Sequence, residues 1–209
     1  MRLSTGIDAL DRVLGGGIPA GSLVVVTSPP EAQVDPLLNA GIHERPTHYF
    51  TTIRDPSAVR DELDRHHESP KIASIRHVGV DGGLEDILSE METLQPGEDV
   101  IVSVLDPLET ATQQTEFVSF CNYFVKRLQE TDSLGIVHCL DVEDPPSNRN
   151  YTLAAADFVF QLRYEPTGSK LVYRLEIPKA SGLSLSEEER VLALNLGQTV
   201  SVDTSRDIA

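Results

Sequence analysis

The sequence has no apolar run approaching the ~20 residues that a membrane-spanning helix needs. Its first ten residues, Met1 to Leu10, carry no apolar stretch ahead of a small-residue cleavage site. No secretory signal is read there, and a cytoplasmic location is expected. Cysteine is scarce: Cys121 falls in a helical pattern and Cys139 in an apolar strand pattern, and there are no others. Without a secretory signal the two are expected to be reduced core residues rather than a disulfide. Internal repeats and low-complexity segments are absent as well, so residues 1–209 are read as one domain.

Lysine is the scarcest charge. The chain holds 4 Lys against 13 Arg, and 33 acidic residues bring the net charge to -16. The acid is spread along the chain rather than gathered in a tail. Such a surface repels nucleic-acid phosphate, so direct nucleic-acid binding is not expected. Dispersed acid with little Lys resembles the composition of proteins from salt-loving archaea, where high ionic strength screens the self-repulsion. An acidic mesophilic protein is the alternative.

What is present suits a folded α/β domain. At 209 residues and 40% hydrophobic composition, a chain of this kind buries about 70% of its unfolded surface. Leu23 to Thr27 and Val100 to Leu105 are short continuous apolar runs, the pattern of strands buried on both faces. Tyr49 to Ile53, Ile72 to Val80 and Leu134 to Leu140 also read as strands. Asp55-Pro56 starts a helix, with Asp as N-cap and Pro at the first helical position. Leu84 to Leu94 is helical, and a longer amphipathic helix is predicted from Thr112 to Glu130, where Phe117, Phe120, Phe124 and Leu128 share a face. After Pro145-Pro146 the pattern changes. Phe158 to Tyr164 and Leu171 to Ile177 flank Pro166-Thr167-Gly168-Ser169, and Val191 to Leu196 and Thr199 to Asp203 flank a second turn at Leu196-Gly197-Gln198. Both are hairpin signals. The expected fold is therefore a doubly wound, mainly parallel sheet with helices on both faces and C-terminal antiparallel hairpins.

The segment Thr5-Gly6-Ile7-Asp8-Ala9-Leu10-Asp11, followed by Leu14-Gly15-Gly16-Gly17-Ile18-Pro19 and Gly21-Ser22, resembles the run that precedes the first strand in the RecA/KaiC/RadA family of P-loop ATPases. The order of elements downstream fits the same family, so the resemblance covers almost the whole chain. Ala156-Asp157 with Leu162 is similar to a family strand, and Lys179-Ala180-Ser181-Gly182 is similar to its basic turn. The resemblance implies a RecA-like fold and ATP bound between subunits of a ring or filament.

The residues that would hold ATP are where the sequence departs from the family. A working loop reads G-x-x-x-x-G-K-[ST]: glycines let backbone N–H groups cradle phosphate, Lys contacts the terminal phosphates, and the hydroxyl holds Mg²⁺. The aligned stretch here is Ser28 to Asp35. Ser28 and Gln33 stand at the glycine positions, Val34 at the lysine position and Asp35 at the hydroxyl position. Glu31 and Asp35 would lie beside a triphosphate; at roughly 4–6 Å and an effective dielectric near 20, each like-charge pair opposes binding by about 3–4 kcal/mol before solvent screening. Any loop position needing positive φ would strain Ser or Gln. The following helix, Pro36 to Ile42, is cut to barely two turns and makes a poor anion site.

Other positions point the same way. Where the family usually has water-activating Glu residues after the second strand, this chain has Ile53 and Arg54, with Asp55 nearby as a helix cap. Ser181 replaces the Arg of the basic turn, leaving Lys179 as its residual interface residue. Asp106, after the Val100 to Leu105 strand, remains as the acidic residue that would orient Mg²⁺ in a competent relative. A hydrolase reading from Ser103 and His138 has no G-x-S-x-G elbow behind it. His66-His67 is adjacent in sequence, so the two are expected on different helix faces, as favourable charge at a helix end rather than as a metal site. Glu187-Glu188-Glu189 reads as a solvated turn.

The reading is thus a non-catalytic RecA/KaiC-like domain, a pseudo-ATPase with a vestigial phosphate loop at Ser28, Glu31, Gln33, Val34 and Asp35. It would act as a regulatory or structural partner module, with signalling as one setting. Its partner would be itself or an active RecA/KaiC-like paralogue. No catalytic residue, metal or cofactor is expected; retained binding of ATP and Mg²⁺ is open but not expected. The rival readings are an ATP-binding protein or slow ATPase with an atypical site, and a recombination-accessory RecA paralogue.

Overall fold

The computed structural model describes residues 1–167, 170–197 and 200–202. A short ribbon of β1 (Arg2–Leu3) and β2 (Ile18–Pro19) brackets α1 (Asp8–Val13). Then follow β3 (Leu23–Ser28), α2 (Asp35–Leu38), β4 (Thr47–Thr51), α3 (Pro56–His66), β5 (Ile72–His77), α4 (Gly83–Glu92) and β6 (Asp99–Ser103). The chain continues through α5 (Asp106–Ala111), α6 (Gln114–Glu130), β7 (Gly135–Leu140) and α7 (Arg149–Ala155). It closes with β8 (Phe158–Thr167), β9 (Lys170–Ala180), a 3₁₀ turn at Glu188–Arg190, β10 (Val191–Leu196) and β11 (Val200–Val202).

The nine strands from β3 onward form one sheet in the order β11-β10-β9-β8-β3-β7-β6-β4-β5. The six from β8 to β5 run parallel, and β9, β10 and β11 add antiparallel to the β8 edge. This is the expected doubly wound sheet with an antiparallel extension. Gly168, Ser169, Gln198, Thr199 and Asp203, which the sequence reading placed at the hairpin turns and at the last strand's end, lie outside the described residues.

Strand periodicity sorts the core into two faces. On β3, Leu23 and Val25 point to the layer built by α4, α5, α6 and α7. Val24 and Val26 point to the opposite layer, with α1 and α2. The second layer continues over Tyr49 and Ile101, where Val59 and Leu63 of α3 pack. The α6 stripe is core as expected: Phe117, Phe124 and Leu128 are fully buried, each worth about 1.5–3 kcal/mol of transfer free energy. At Gly135 a Cβ would come within 2.5 Å of Leu128 Cδ1, so glycine lets α6 lie close on the start of β7. Cys121 and Cys139 are buried free thiols in the same layer, as the sequence reading expected.

The lead-in Thr5 to Ser22 acts as a structural lock. The Asp11 carboxylate accepts from Thr5 N at 2.8 Å, Thr5 Oγ1 at 2.7 Å and Ser4 Oγ at 2.7 Å. Gly6 has φ +81°, and a Cβ there would sit 2.0 Å from the Ala40 carbonyl oxygen. The Thr-Gly pair therefore clips α1 onto the segment after α2.

Element bounds differ from expectation where tertiary bonds decide them. The second parallel strand is Thr47–Thr51, not Tyr49–Ile53, because Thr51 Oγ1 accepts from Arg54 N and turns the chain. β5 ends at His77 and β6 at Ser103. Asp106 consequently opens a helix, α5, that the sequence reading left out, and the long helix begins at Gln114 rather than Thr112. α7 was also not anticipated. The expected N-cap at Asp55 is present: its carboxylate accepts from Ser57 N at 2.8 Å.

Candidate functional site

In an open α/β sheet, ligands bind outside the carboxyl ends of the parallel strands. Those ends carry Ser28, Thr51, His77, Ser103 and Leu140. The stretch from Ser28 to Asp35 leaves β3 there. Its backbone folds upon itself: Ala32 N donates to Pro29 O at 3.0 Å and Val34 N donates to Ala32 O at 3.0 Å. Two N–H groups that a phosphate cradle would direct at an anion are thus used inside the loop. The strain expected for Ser28 and Gln33 does not arise, because among the described residues only Asp132 combines a side chain with positive φ. The loop has relaxed into a route that needs no glycine.

Each side chain of the stretch has turned to a partner of its own. Val34, at the lysine position, is buried among Val24, Val26, Leu37 and Leu38. Ser28 is buried, and its Oγ lies 2.9 Å from His138 Nε2 on the neighbouring strand. Burial pushes His138 down to about 4, with the nearby Asp106 carboxylate opposing that shift. Gln33 is exposed. Glu31 is exposed too and accepts from the Tyr164 hydroxyl at 2.7 Å, which lowers its pKa. It faces β8 rather than the interior of the loop.

Asp35 is the residue whose surroundings most define the site. Its carboxylate lies 3.4 Å from Arg54 Nη1, and Arg54 also pairs with Glu62 on α3. A guanidinium from the end of β4 therefore spans α2 and α3. Burial and the Glu62 charge raise the Asp35 pKa, while Arg54 opposes both. The sequence pointed to Asp35 and Arg54 separately and as losses; the structure joins them as a pair. Glu62 was missed, because Arg54 lies outside α3 and its reach to Glu62 depends on how α2 and α3 pack.

Asp106 is bound as firmly. Its Oδ1 accepts from Arg149 Nη2 at 2.6 Å and its Oδ2 from Leu140 N at 2.9 Å. Arg149 also donates to Glu109 Oε2 at 2.9 Å and to Leu140 O at 2.7 Å, and Thr152 Oγ1 donates to Glu109. Asp106, Glu109 and Cys139 place potential ligand atoms within 4.8 Å of one another. The Arg149 guanidinium already engages both carboxylates, however, and burial pushes the Cys139 thiol well above its ordinary range. The cluster is an internal ion network joining α5, α7 and β7. Glu109 and Arg149 were not read from the sequence, since neither lies in a motif.

Lys179 donates to Leu153 O and Ala154 O, both at 3.1 Å, and so caps the C-terminal end of α7. Asp157, the acid of the family-like strand, accepts from Leu23 N at 3.0 Å. The residues expected near phosphate do gather at one end of the sheet, but as three separate clusters: Ser28 with His138, Asp35 with Arg54, and Asp106 with Arg149. No helix among the described residues is long and apolar enough to cross a membrane.

Known proteins agree with this architecture. The KaiC-like protein of the hyperthermophilic archaeon Pyrococcus horikoshii OT3 superposes with a TM-score of 0.73, over 97% of this chain and 99% of that one, at 16% identity. At that identity the likeness speaks for the fold alone. The DNA repair protein RadA of Mycobacterium tuberculosis, in two strains, is 30% identical over 105 residues, or 48% of this chain. That stretch is 22% of RadA, so the chain spans well under half the length of the curated relatives it matches. The fold is thus RecA/KaiC-like, and by its match over residues 2–209 the chain belongs to the family of unknown function DUF7125.

Proposed function

We propose that this chain is a RecA/KaiC-type domain that does not hydrolyse ATP and serves as a regulatory or structural partner module. The observation that carries this reading is the Asp35–Arg54–Glu62 closure. A working site needs a free cation facing a hydroxyl and an acid that activates water. Here the acid stands at the hydroxyl position, and the cation stands where the water-activating acid would be and is bound internally. The residues present do not fit Mg²⁺-triphosphate: Val34 is in the core, α2 is four residues long, and Asp106 is held by Arg149.

The same end of the sheet supports a partner role. Ile53 and Val80 are 61% and 51% exposed just beyond β4 and β5, and Val142 is exposed just beyond β7. Asp55, Asp81, Asp141, Glu143 and Asp144 surround them in the sequence. A rim of apolar and acidic groups suits a partner carrying apolar and basic ones. An active RecA/KaiC-like paralogue with such a face fits better than a second copy, whose acids would repel. The repair role of RadA is a weaker guide, since a net charge of -16 opposes direct DNA contact.

The test is ATP turnover by the purified chain in molar KCl with Mg²⁺. No turnover is expected. Turnover near 1 s⁻¹, within the ordinary enzyme range, would overturn the proposal. A thermal shift with ATP, ADP or GTP separates binding from hydrolysis, because a ligand at 100 times its dissociation constant stabilises by about 2.7 kcal/mol.

A further inference from the structure

Beyond β4, on the α3 side, truncation of α2 leaves space. Instead of further helical turns, the chain makes tight turns, with Ile42 N donating to Asn39 O and Glu44 N to Gly41 O. A groove of about 440 Å³ opens beside them, and His43, His66 and His67 line it. A smaller cavity of about 50 Å³ shares Pro36, His66 and His67 with this groove and adds Asp35, Asn39 and Glu62. Half of the chain's six histidines therefore border the larger groove.

The adjacency of His66 and His67 had argued against a shared site, on the premise that both lie in a helix. The structure removes the premise. His66 is the last residue of α3, and His67 has φ −126° and ψ 129°, which is extended backbone. The helix ends between them, and both residues border the same space. We propose that this groove binds a divalent transition-metal cation of the zinc class through the imidazoles of His43, His66 and His67.

Three features favour a cation of that class. Imidazole nitrogens suit zinc, copper and nickel, whereas magnesium and calcium prefer all-oxygen sites. The site lies at the C-terminal end of α3, where the helix dipole is negative, with the carboxylates Asp35, Glu62 and Glu68 along its walls. Of the nearby cations, Arg54 is engaged by Asp35 and Glu62, and Lys71 Nζ donates to Glu44 O at 3.0 Å. An independent observation concerns the smaller cavity, which Asn39 lines: it is only 4% exposed, yet its Oδ1 has no hydrogen-bond partner among the described residues. That oxygen is free to ligate the metal or to accept from a metal-bound water.

The three imidazoles do not yet converge to within 4.8 Å, unlike Asp106, Glu109 and Cys139. His43 is half exposed and, among the described residues, pairs with Glu44 at 3.3 Å, so its side chain has room to swing toward the other two. The site is therefore assembled by the metal rather than preformed, and binding should link α3 to the segment after α2.

The experiment is calorimetric titration of the tag-free full chain with Zn²⁺ in chelator-free buffer near neutral pH. One equivalent per chain is expected. The double variant His66→Gln/His67→Gln should weaken binding by at least about 10-fold, whereas His77→Gln, outside the groove, should leave it unchanged. Circular dichroism of each variant without metal establishes that the fold is intact. His43→Gln alone, at an exposed position that cannot threaten folding, should also weaken binding. Absence of Zn²⁺ uptake by the folded wild-type chain, or uptake unchanged in both groove variants, would overturn the proposal. Neither result depends on whether nucleotide binds.

Discussion

Arg54 Nη1 lies 3.4 Å from the Asp35 carboxylate, so the charge at the end of β4 closes onto the residue that begins α2. The pair is about one-third exposed on each side, and its net worth in water is modest, about 0.5–1 kcal/mol. Arg54→Ala should therefore cost about 1 kcal/mol. The loss should depend on pH. Burial and Glu62 raise the Asp35 pKa in the folded state, so the folded protein holds the extra proton and stability falls as pH rises above 3.8. Without Arg54 the raising causes stand unopposed, and the fall should extend to higher pH. Urea denaturation at mildly acidic and neutral pH checks this. Asp35→Asn in the same background should remove the extra pH dependence that Arg54→Ala introduces, while the contributions of His138 and the other groups remain; if the extra part persists, the two residues are not coupled.

The Asp106–Arg149–Glu109 network predicts a larger effect. Glu109 is fully buried, and Arg149 is its counter-charge. Arg149→Met leaves two acids without a cation, and removal of one partner from a buried ion pair typically costs about 3–5 kcal/mol. Guanidinium chloride cannot resolve screening from denaturation, so urea is the denaturant of choice. Adding Glu109→Gln to Arg149→Met should recover part of the loss. A cost near zero for Arg149→Met would mean that the acids find another cation, and the cluster would need to be reconsidered as an ion site.

How much of this could be read beforehand follows from the range of each interaction. The parallel core was legible because continuous apolar runs such as Leu23 to Val26 and Val100 to Val102 are local patterns. Asp55 as a cap was legible for the same reason, since its bond to Ser57 N is two residues away. α5 and α7 were not, because each is short and is held by long-range bonds: Arg149 reaches Asp106 and Glu109, and Asn148 Nδ2 donates to Glu109 O. The loop at Ser28 to Asp35 was legible as a set of departures from the RecA/KaiC pattern. What replaced the missing groups was not. Val34 turning inward and Arg54 bridging to Glu62 depend on how α2 and α3 pack. The histidine groove escaped because His67 leaves the helix, which no spacing along α3 reveals.

The lead-in motif predicts a backbone effect rather than a chemical one. Gly6→Ala places a Cβ 2.0 Å from the Ala40 carbonyl oxygen at a φ of +81°. Backbone atoms on both sides must move, and the left-handed conformation itself disfavours alanine by about 1 kcal/mol. The variant should lower the unfolding temperature by several degrees, since about 1 kcal/mol shifts a domain of this size by roughly 2–4 °C. Gly15→Ala, where nothing lies within 4 Å of the added Cβ, isolates the conformational part. Equal losses at both positions would show that the contact with Ala40 is not what fixes Gly6.

His138 sets an acid limit on the fold. It is buried beside Ser28, its Nδ1 has no partner among the described residues, and burial lowers its pKa from 6.5 to about 4. Between those values the unfolded chain holds a proton that the folded chain refuses. The unfolded state thus binds more protons, stability rises with pH in this window, and it is lost as pH falls from 6.5 toward 4. One pKa unit corresponds to about 1.4 kcal/mol, so the whole window is worth about 3 kcal/mol. His138→Gln keeps a polar partner for Ser28 but cannot titrate. The carboxylates and His67 still contribute to acid loss in both proteins, so the informative quantity is the difference between the two stability curves. That difference should grow by up to about 3 kcal/mol in favour of the variant as the pH is lowered through the window. Parallel curves would mean that the imidazole gains a proton in the folded state and that the Ser28–His138 contact opens to water.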